Sequence, residues 1–392
     1  MLGRLVGGIL LVAGTTIGAG MLALPVVTAI GGFLPALCMC FLCWAFMTST
    51  GFLFLEACLH LPPGANLATM AETYLGKTGK VCAWILYLFL FYCLSVAYLS
   101  VGGALLRSWI GENWISSSCA VGLFLTLFAP CVYAGAKIVD RINSWMMLGL
   151  GGSYFAFVWL CIPLVQTSFL ERMQWSGSFL ALPVIFTSFS FHGIIPSLIS
   201  YLKREAKLVR LAILLGTGLA FLIYILWEVL ILGAVPFEGP QGLFAAHRLG
   251  LSAVVPLQAY LGAHKIVPIS QAFAFFAVAT SFLGVTLGLF DFLADGLGWA
   301  KKGWSRLKIA ALTFLPPFAI TLVYPSLFLK ALSMAGGIGC ALLLGLFPVL
   351  VCYQARYRKP RLDRWTEQVG GGKFFLWILV LFVLFELMTE FY

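Results

Sequence analysis

The residues of this chain best suited to binding chemistry are uncharged and lie close to its N-terminus. Residues 14–20 read Gly-Thr-Thr-Ile-Gly-Ala-Gly, inside an apolar stretch that continues to Ile30. A helix that unwinds here frees amide N–H groups, which suit a carboxylate, and carbonyl oxygens, which suit an ammonium or a metal cation. We therefore predict a site for a zwitterion, with its carboxylate at the amides of Gly18, Ala19 and Gly20 and its amine at carbonyls near Thr15 and Thr16.

A second run of this kind occurs at residues 187–197, which read Thr-Ser-Phe-Ser-Phe-His-Gly-Ile-Ile-Pro-Ser. Interrupted helices at corresponding positions of two halves indicate the substrate site of a transporter built from inverted repeats. The first run has another interpretation, because Gly14 and Gly18 are also spaced for close helix packing. The presence of a second break favours the binding site.

Aromatic rings near these breaks could complete the pocket, because an aromatic substrate would stack on them. Phe189 and Phe191 flank the second break, and Tyr92 and Tyr98 lie in the third apolar stretch. With 15% aromatic residues in the chain, each ring could equally be ordinary lining or a lipid contact. The predicted substrate-binding residues are Gly14, Thr15, Thr16, Gly18, Ala19, Gly20, Tyr92, Ser188, Phe189, Phe191, His192 and Gly193.

Ionisable side chains inside the apolar stretches are few, and each is a candidate for binding a coupling ion. His192 could carry a proton or cap the second break, and Glu228 could face an outer vestibule. The adjacent hydroxyls of Thr280 and Ser281 could ligate sodium or bond back to their own helix. The coupling-ion candidates are therefore Thr280, Ser281, His192 and Glu228.

Three carboxylates lie near predicted helix ends. Glu56 is expected to be a solvated carboxylate at the membrane interface. Asp291 and Asp295 share a helix face and could form an inner gate, pair with Lys301 or Lys302, or remain solvated. They are also the best argument for a metal-dependent intramembrane transferase, although such an enzyme needs a second aspartate cluster that the sequence lacks.

Composition places the whole chain in a membrane. Hydrophobic residues make up 62% of 392 residues, the mean hydropathy is +1.03, and only 10% of residues are charged. A span needs about 20 apolar residues, which predicts an all-α polytopic protein with eleven spans. These lie near residues 5–30, 33–58, 81–106, 118–135, 145–168, 178–202, 208–233, 266–294, 309–327, 331–353 and 374–391. We expect the eleven cysteines to be reduced and to act as small hydrophobic residues, with no metal site.

Basic residues predict the orientation of the spans. If the N-terminus and every second loop are cytoplasmic, these segments hold 19 of the 24 lysines and arginines. The bias predicts a cytoplasmic N-terminus, on a first helix that is not cleaved, and a periplasmic C-terminus. The net charge of +10 is then a topology signal rather than a nucleic-acid surface.

The two breaks divide the single transmembrane domain, residues 1–392, into two inverted five-helix repeats. We predict the first repeat at residues 1–168 and the second at 178–353, followed by a cytoplasmic loop and span 11 at 354–392. The inner loop at 62–73 predicts a turn and a short surface helix. The long outer loop at 234–265 could cap an outer vestibule or serve as a connector.

The sequence blocks that contain these features resemble the bacterial hydroxy and aromatic amino acid permeases, most closely the tyrosine permeases. The blocks are residues 13–25, 187–197 and 280–295, and the resemblance extends over the full chain. It implies the amino acid-polyamine-organocation superfamily, with the leucine-transporter fold of five plus five helices and broken helices 1 and 6.

The resemblance also implies a secondary transporter rather than an enzyme, importing L-tyrosine, or alternatively tryptophan or phenylalanine, across the inner membrane. It supports Gly18, Ala19 and Gly20 for the carboxylate and residues 188–193 for the amine and side chain. Proton symport is the usual coupling in the family, without a cofactor. Because residues 145–168 lack the lysine that replaces sodium in some superfamily members, sodium coupling stays open. The expected partners are the amino acid and membrane lipid, with a monomer as one option for the oligomeric state.

Overall fold

The computed structural model describes residues 2–61, 67–111, 113–262, 266–358 and 368–390. Within these ranges the ordered elements are helices, and no strand occurs. Ten helices are long and apolar enough to cross a membrane, and a bent pair at the N-terminus gives eleven spans. The predicted all-α polytopic fold is therefore confirmed. The predicted turn at 62–66 and four basic residues used for the orientation lie outside the described residues: Lys265, Lys359, Arg361 and Arg364.

Spans 1 and 6 are the broken ones. Span 1 consists of Leu2–Thr16, the 3₁₀ turn Ala19–Leu22 and Leu24–Thr28. The helix axis bends by 46° between its two halves. Span 6 consists of Leu182–Ser188, the 3₁₀ turn His192–Ile194 and Ile195–Tyr201. The face of the protein on which span 1 begins is called the N-side here, and the opposite face the C-side.

The remaining spans do not have an unwound segment like those of spans 1 and 6. They are span 2 (Phe33–Leu59), span 3 (Leu67–Ile110), span 4 (Ser117–Ala134), span 5 (Ala136–Cys161), span 7 (Ala206–Ala234), span 8 (Ile266–Leu297), span 9 (Gly303–Val323), span 10 (Phe328–Arg358) and span 11 (Gly372–Glu390). Short helices in the connections are Ile162–Leu164, Thr167–Leu170, Trp175–Ser178, Phe179–Ala181, Leu243–Arg248 and Val254–Leu261.

Two glycines with positive φ set helix boundaries. Gly76 (φ 75°) separates residues 67–75 from the membrane part of span 3, which matches the predicted short surface helix. Gly135 (φ 109°) reverses the chain between spans 4 and 5, so span 5 begins at Ala136 rather than near residue 145 as predicted. The prediction was wrong because Lys137 and Arg141 look like loop residues, although they occupy the first turns of the helix.

The spans most buried within the protein are 2, 6, 8 and 10, whereas spans 4, 5, 9 and 11 present more of their surface to the surroundings. Span 1 packs against span 7, and span 8 against spans 3 and 5. Span 10 contains a π-helical stretch, Ala335–Leu346, where a Cβ on Gly336 would collide with the Pro183 carbonyl oxygen. Glycine is therefore needed for span 10 to approach the C-side half of span 6.

Glu56 is not the solvated carboxylate that the sequence predicted. Its side chain is fully buried and receives two hydrogen bonds from Arg356, at 2.7 Å (Nε to Oε1) and 2.6 Å (Nη2 to Oε2). The amide of Gln368 donates a further hydrogen bond of 2.7 Å to Oε2. The prediction failed because the partner cation lies 300 residues away in sequence, at the end of span 10.

All eleven cysteines are free thiols. Cys40 and Cys43 are buried and Cys38 is partly buried, whereas Cys82 and Cys119 are exposed. No group of three or more His, Cys, Asp or Glu side chains that could hold a metal ion occurs in the part of the chain that the structure describes.

Candidate functional site

The break in span 1 is shorter than the glycine run that predicted it. The N-side helix ends at Thr16, and Gly18 is extended (φ −151°, ψ −161°) before the 3₁₀ turn begins at Ala19. Thr15 and Thr16 are still helical, and their hydroxyls donate to the carbonyls of residues 11 and 12 at 2.7 and 2.8 Å. The threonine side chains are thus engaged locally, and the main chain at the end of the helix is what remains for binding.

The break in span 6 lies directly against the break in span 1. Its C-side helix ends at Ser188, and regular hydrogen bonding resumes only at His192. A Cβ on Gly20 would lie 3.2 Å from the Ser188 Cα and 2.8 Å from its Oγ. Glycine at position 20 therefore allows the two unwound segments to touch.

A tyrosine from span 7 lies between the two breaks. The hydroxyl oxygen of Tyr224, which is fully buried, is 2.7 Å from the Thr16 carbonyl oxygen and 2.9 Å from the Ser188 carbonyl oxygen. A phenol has one hydrogen and can donate to only one carbonyl at a time. The three oxygens therefore form a triangle with spare acceptor capacity, which suits an ammonium group or a metal cation.

Span 8 contributes a hydroxyl at the other end of the break. The Ala19 amide donates to Ser281 Oγ at 2.9 Å, and a Cβ on Gly18 would lie 2.6 Å from the same atom. Tyr98 of span 3 is buried and interacts with the Ser281 side chain. The neighbouring Thr280 hydroxyl donates back to its own helix, to Phe276 O at 2.8 Å or Ala277 O at 3.1 Å.

Span 7 contacts span 1 at two further levels on the same helix face as Tyr224. The indole N–H of Trp227 donates to the Met21 carbonyl at 2.7 Å. Glu228 Oε2 lies 2.8 Å from the hydroxyl of Thr28, near the end of span 1. One face of span 7 thus contacts both halves of the broken helix.

Comparison with known proteins assigns this architecture to a family. A model of the tryptophan/tyrosine permease family matches residues 1–389. The chain belongs to the tryptophan/tyrosine permease family. It is 31% identical to a tryptophan-specific transport protein of Haemophilus influenzae (98% of this chain, 95% of the relative) and 33% identical to tyrosine-specific transport system 1 of the same organism (99% and 96%). It is also 33% identical to the low affinity tryptophan permease of Escherichia coli K12 (96% and 92%).

A solved structure supports the same fold. The permease superposes on the crystal structure of MhsT in complex with L-phenylalanine with a TM-score of 0.68, covering 98% of this chain and 97% of the other, at 16% identity. The leucine-transporter type of fold that the family resemblance implied is therefore confirmed. Because the family consists of permeases, the predicted absence of enzymatic activity is also confirmed, and the transferase alternative is wrong.

The predicted aromatic side chains of span 6 contact two different spans, span 7 and span 2. Phe189 is buried with its ring 5.1 Å from that of Tyr224, next to the carbonyl triangle. Phe191 and His192 instead face span 2, where Phe191 packs on Gly51 and His192 Nε2 lies 3.0 Å from the Thr50 hydroxyl.

Three other predicted residues lie apart from the triangle of oxygens. The Tyr92 hydroxyl donates to the Leu312 carbonyl of span 9 at 2.8 Å, so the structure brings Tyr98 rather than Tyr92 to the site. Gly14 faces Met147 of span 5, where a Cβ would lie 3.3 Å from the methionine methyl group. Gly193 is exposed and has no atom within 4 Å of a Cβ position.

The C-side of the site is closed. Arg172 donates from Nη1 to the carbonyls of Ala29 and Ile30 at 2.5 and 2.7 Å and stacks over the ring of Phe237 at 3.6 Å. The connection between spans 7 and 8 also contributes, since the Ala253 amide donates to Leu22 O at 2.8 Å. Burial lowers the pKa of Arg172, and the nearby Glu238 carboxylate opposes that shift.

The N-side of the site is accessible. Thr15 and Gly193 are exposed, each next to a break, and so is Gly284, one turn along span 8 from Ser281. Broken main chain is tolerated at membrane depth only where it faces protein or a water-filled cavity. The broken segment of span 6 is therefore the part of the site that is exposed on the N-side.

At the N-side surface, the two aspartates at the end of span 8 pair with a lysine, which is one of the three alternatives predicted for them. Lys301 Nζ lies 2.8 Å from Asp291 and 3.9 Å from Asp295, and all three side chains are substantially exposed. An exposed ion pair of this kind contributes between 0 and about 1 kcal/mol. It is therefore a weak contact at the end of the helix.

Sequence reasoning missed Tyr224 and Trp227. In a span that is apolar throughout, a tyrosine and a tryptophan do not stand out by composition. Their spacing with Glu228, at i, i+3 and i+4, was the available signal, because it places three hydrogen-bonding side chains on one face of an otherwise apolar helix.

Proposed function

We propose that this permease is a secondary active transporter that imports an aromatic amino acid by alternating access. L-tyrosine is the first candidate, with tryptophan and phenylalanine as alternatives, because the named relatives transport tyrosine or tryptophan. The observation that carries the proposal is the triangle formed by Thr16 O, Ser188 O and the Tyr224 hydroxyl between the two breaks. An ammonium group has three hydrogens and can cap three oxygens.

The amino acid backbone would be recognised without charged side chains. Its ammonium group occupies the oxygen triangle, and its carboxylate takes the amides of the 3₁₀ turn that begins at Ala19, in place of Ser281 Oγ. The amino acid ring would lie near Phe189 and Tyr98, whose side chains are next to the triangle and to Ser281. Backbone recognition of this kind is common to all candidate substrates, so the choice among them depends on these rings.

The observed conformation corresponds to one stage of such a cycle. The C-side is closed by Arg172 and Ala253, whereas the N-side is open to Gly193. We place the N-side in the cytoplasm and the C-side in the periplasm of a bacterial inner membrane, because basic residues concentrate on the N-side. The conformation is then the one that releases substrate into the cell. Membrane lipid surrounds the permease, and a monomer contains the complete site.

Proton symport is the coupling we propose, without a cofactor. Sodium symport is the second candidate, since the Ser281 hydroxyl of span 8 lies against the break in span 1 and could ligate a sodium ion beside the substrate. The two differ in the gradient that drives accumulation.

Uptake of labelled tyrosine into proteoliposomes, under an imposed proton or sodium gradient, tests the proposal. We expect accumulation under an inward proton gradient, competition by tryptophan and phenylalanine, and no competition by serine. Protein-free liposomes with the same gradients are the control. Accumulation that follows only the sodium gradient would identify sodium, rather than the proton, as the coupling ion. Absence of tyrosine, tryptophan and phenylalanine transport under every gradient would refute the proposed function.

A further inference from the structure

Glu228 lies in the closed C-side half of the protein and makes an unusual contact. Its side chain is 3% exposed, and Oε2 is 2.8 Å from the Thr28 hydroxyl oxygen. The same Thr28 oxygen is 2.8 Å from the Leu24 carbonyl oxygen of its own helix. One hydroxyl therefore lies at hydrogen-bond distance from two oxygens, of which the carbonyl has no hydrogen to donate.

The number of hydrogens in this chain of three oxygens depends on the state of Glu228. A threonine hydroxyl supplies one hydrogen. If Glu228 is ionised, that one hydrogen is shared between the carboxylate and the Leu24 carbonyl. If Glu228 is protonated, the carboxyl donates to Thr28 and Thr28 donates to Leu24 O, so each contact has its own hydrogen. The protonated acid therefore satisfies this pair of contacts better than the carboxylate does.

Among the described residues, none provides a counter-charge for an ionised Glu228. Its other oxygen, Oε1, has no hydrogen-bond partner among the described residues. The Cys40 thiol of span 2 interacts electrostatically with Glu228, and the Tyr224 phenol lies one turn away on span 7; both groups are neutral. Arg172, on the C-side, is engaged with the carbonyls of Ala29 and Ile30 and with Glu238. Burying an unpaired carboxylate costs far more free energy than burying a neutral carboxylic acid.

We propose that Glu228 carries the coupling proton and that its protonation allows the C-side half of span 1 to close. This inference rests on the proposed transport function. Loading transfers a proton from a periplasmic hydronium ion to the carboxylate, which leaves water and a neutral acid that can donate to Thr28. Unloading returns the proton to water on the cytoplasmic side and restores the carboxylate.

Protonation at this position links the ion to the direction of transport. With Glu228 ionised, the contact with Thr28 competes with the Leu24 carbonyl, and the closed C-side is destabilised. The permease therefore closes towards the periplasm when the proton is loaded and reopens after the proton has left. Thr28 and Leu24 belong to the same half-helix as Leu22, which the Ala253 amide holds in the closed state.

Glu228→Gln tests the inference, because the amide can donate to Thr28 as the protonated acid does but cannot release a proton. In proteoliposomes we expect tyrosine accumulation under an inward proton gradient to fall at least tenfold. Tyrosine counterflow, which exchanges internal for external substrate without net proton movement, should stay within twofold of the unmodified protein. Glu386→Gln is the matched control, since Glu386 is equally buried but lies in span 11. It should leave both activities within twofold.

Glu228→Asp is the second variant, because it keeps a titratable carboxyl and shortens the side chain by one methylene. We expect it to retain tyrosine-dependent proton uptake, measured as alkalinisation of a weakly buffered medium, with a shifted pH profile. Proton-driven accumulation by Glu228→Gln at the normal level would overturn the inference. So would loss of counterflow in folded Glu228→Gln, or proton uptake that is unchanged when Glu228→Asp is assayed across pH. Absence of counterflow in the unmodified protein would instead refute the proposed function.

Discussion

Removing a single hydroxyl at the oxygen triangle should weaken substrate binding by a predictable amount. In Tyr224→Phe the ring remains and one of the three acceptors for the ammonium group is lost. The Thr16 and Ser188 carbonyl oxygens, now 2.7 and 2.9 Å from the phenol, lose the group that holds them together. A hydrogen bond to a charged group contributes about 1.5–3 kcal/mol. At about 1.4 kcal/mol per factor of ten, the tyrosine Kd should rise about 10-fold to 150-fold.

The assay is calorimetric binding of tyrosine to the purified protein, accompanied by the KM for uptake. Tyr154→Phe is the matched control, because its hydroxyl donates to the Ile223 carbonyl of span 7 at 3.2 Å, away from both breaks. We expect its Kd to change less than threefold. A Tyr224→Phe Kd within threefold of normal would refute the assignment of the ammonium site. An equal loss in both variants would show that the effect comes from the packing of span 7.

Three further predictions concern the break and its supports. Gly18→Leu should abolish tyrosine uptake while membrane insertion persists, and Gly152→Leu, at an exposed glycine with open space, should leave uptake unchanged. Glu56→Gln should destabilise the protein by about 3–5 kcal/mol because it removes the carboxylate charge that balances the buried Arg356 guanidinium. The double variant Glu56→Leu/Arg356→Met should recover most of the loss, as measured by thermal unfolding in detergent. Arg172→Gln should slow tyrosine uptake and loosen the C-side. Labelling of a Ser178→Cys probe by thiol reagents added on the C-side should then rise at least fivefold over the same probe with Arg172 intact. Unchanged labelling would argue against the role of Arg172 in closing the C-side.

The positions of both breaks could be predicted from the sequence because each glycine-containing run interrupts an apolar stretch that would otherwise form a regular helix. The extent of the first break could not be predicted from the sequence. Residues 14–16 continue the helix, since the hydroxyls of Thr15 and Thr16 find acceptors in the preceding turn. Glycine permits unwinding, but contacts with other spans decide where it happens. Here Ser281 receives the Ala19 amide and Tyr224 faces the Thr16 carbonyl.

The features that sequence reasoning missed depend on contacts between distant segments. Glu56 looked solvated because nothing near it in sequence is basic, yet Arg356 reaches it from span 10. Tyr224 looked like one apolar residue among many. Its role depends on two carbonyls, 208 and 36 residues away, that have no signature in the residue types around it. Main-chain groups that are freed by tertiary structure cannot be identified from side-chain composition.

The spacing of Tyr224 and Glu228 would provide a physical basis for the coupling between substrate and proton that we propose. The two residues are one helical turn apart, about 6 Å along span 7. Tyr224 contacts the two carbonyls that an ammonium group would cap, one in span 1 and one in span 6. Glu228 contacts the C-side half of span 1. Because span 7 is a continuous helix at this point, a shift of Tyr224 when substrate binds must also move Glu228 relative to Thr28. In the proposed mechanism, substrate and proton would favour the same movement of span 1 through one face of span 7, without direct contact between the two ligands.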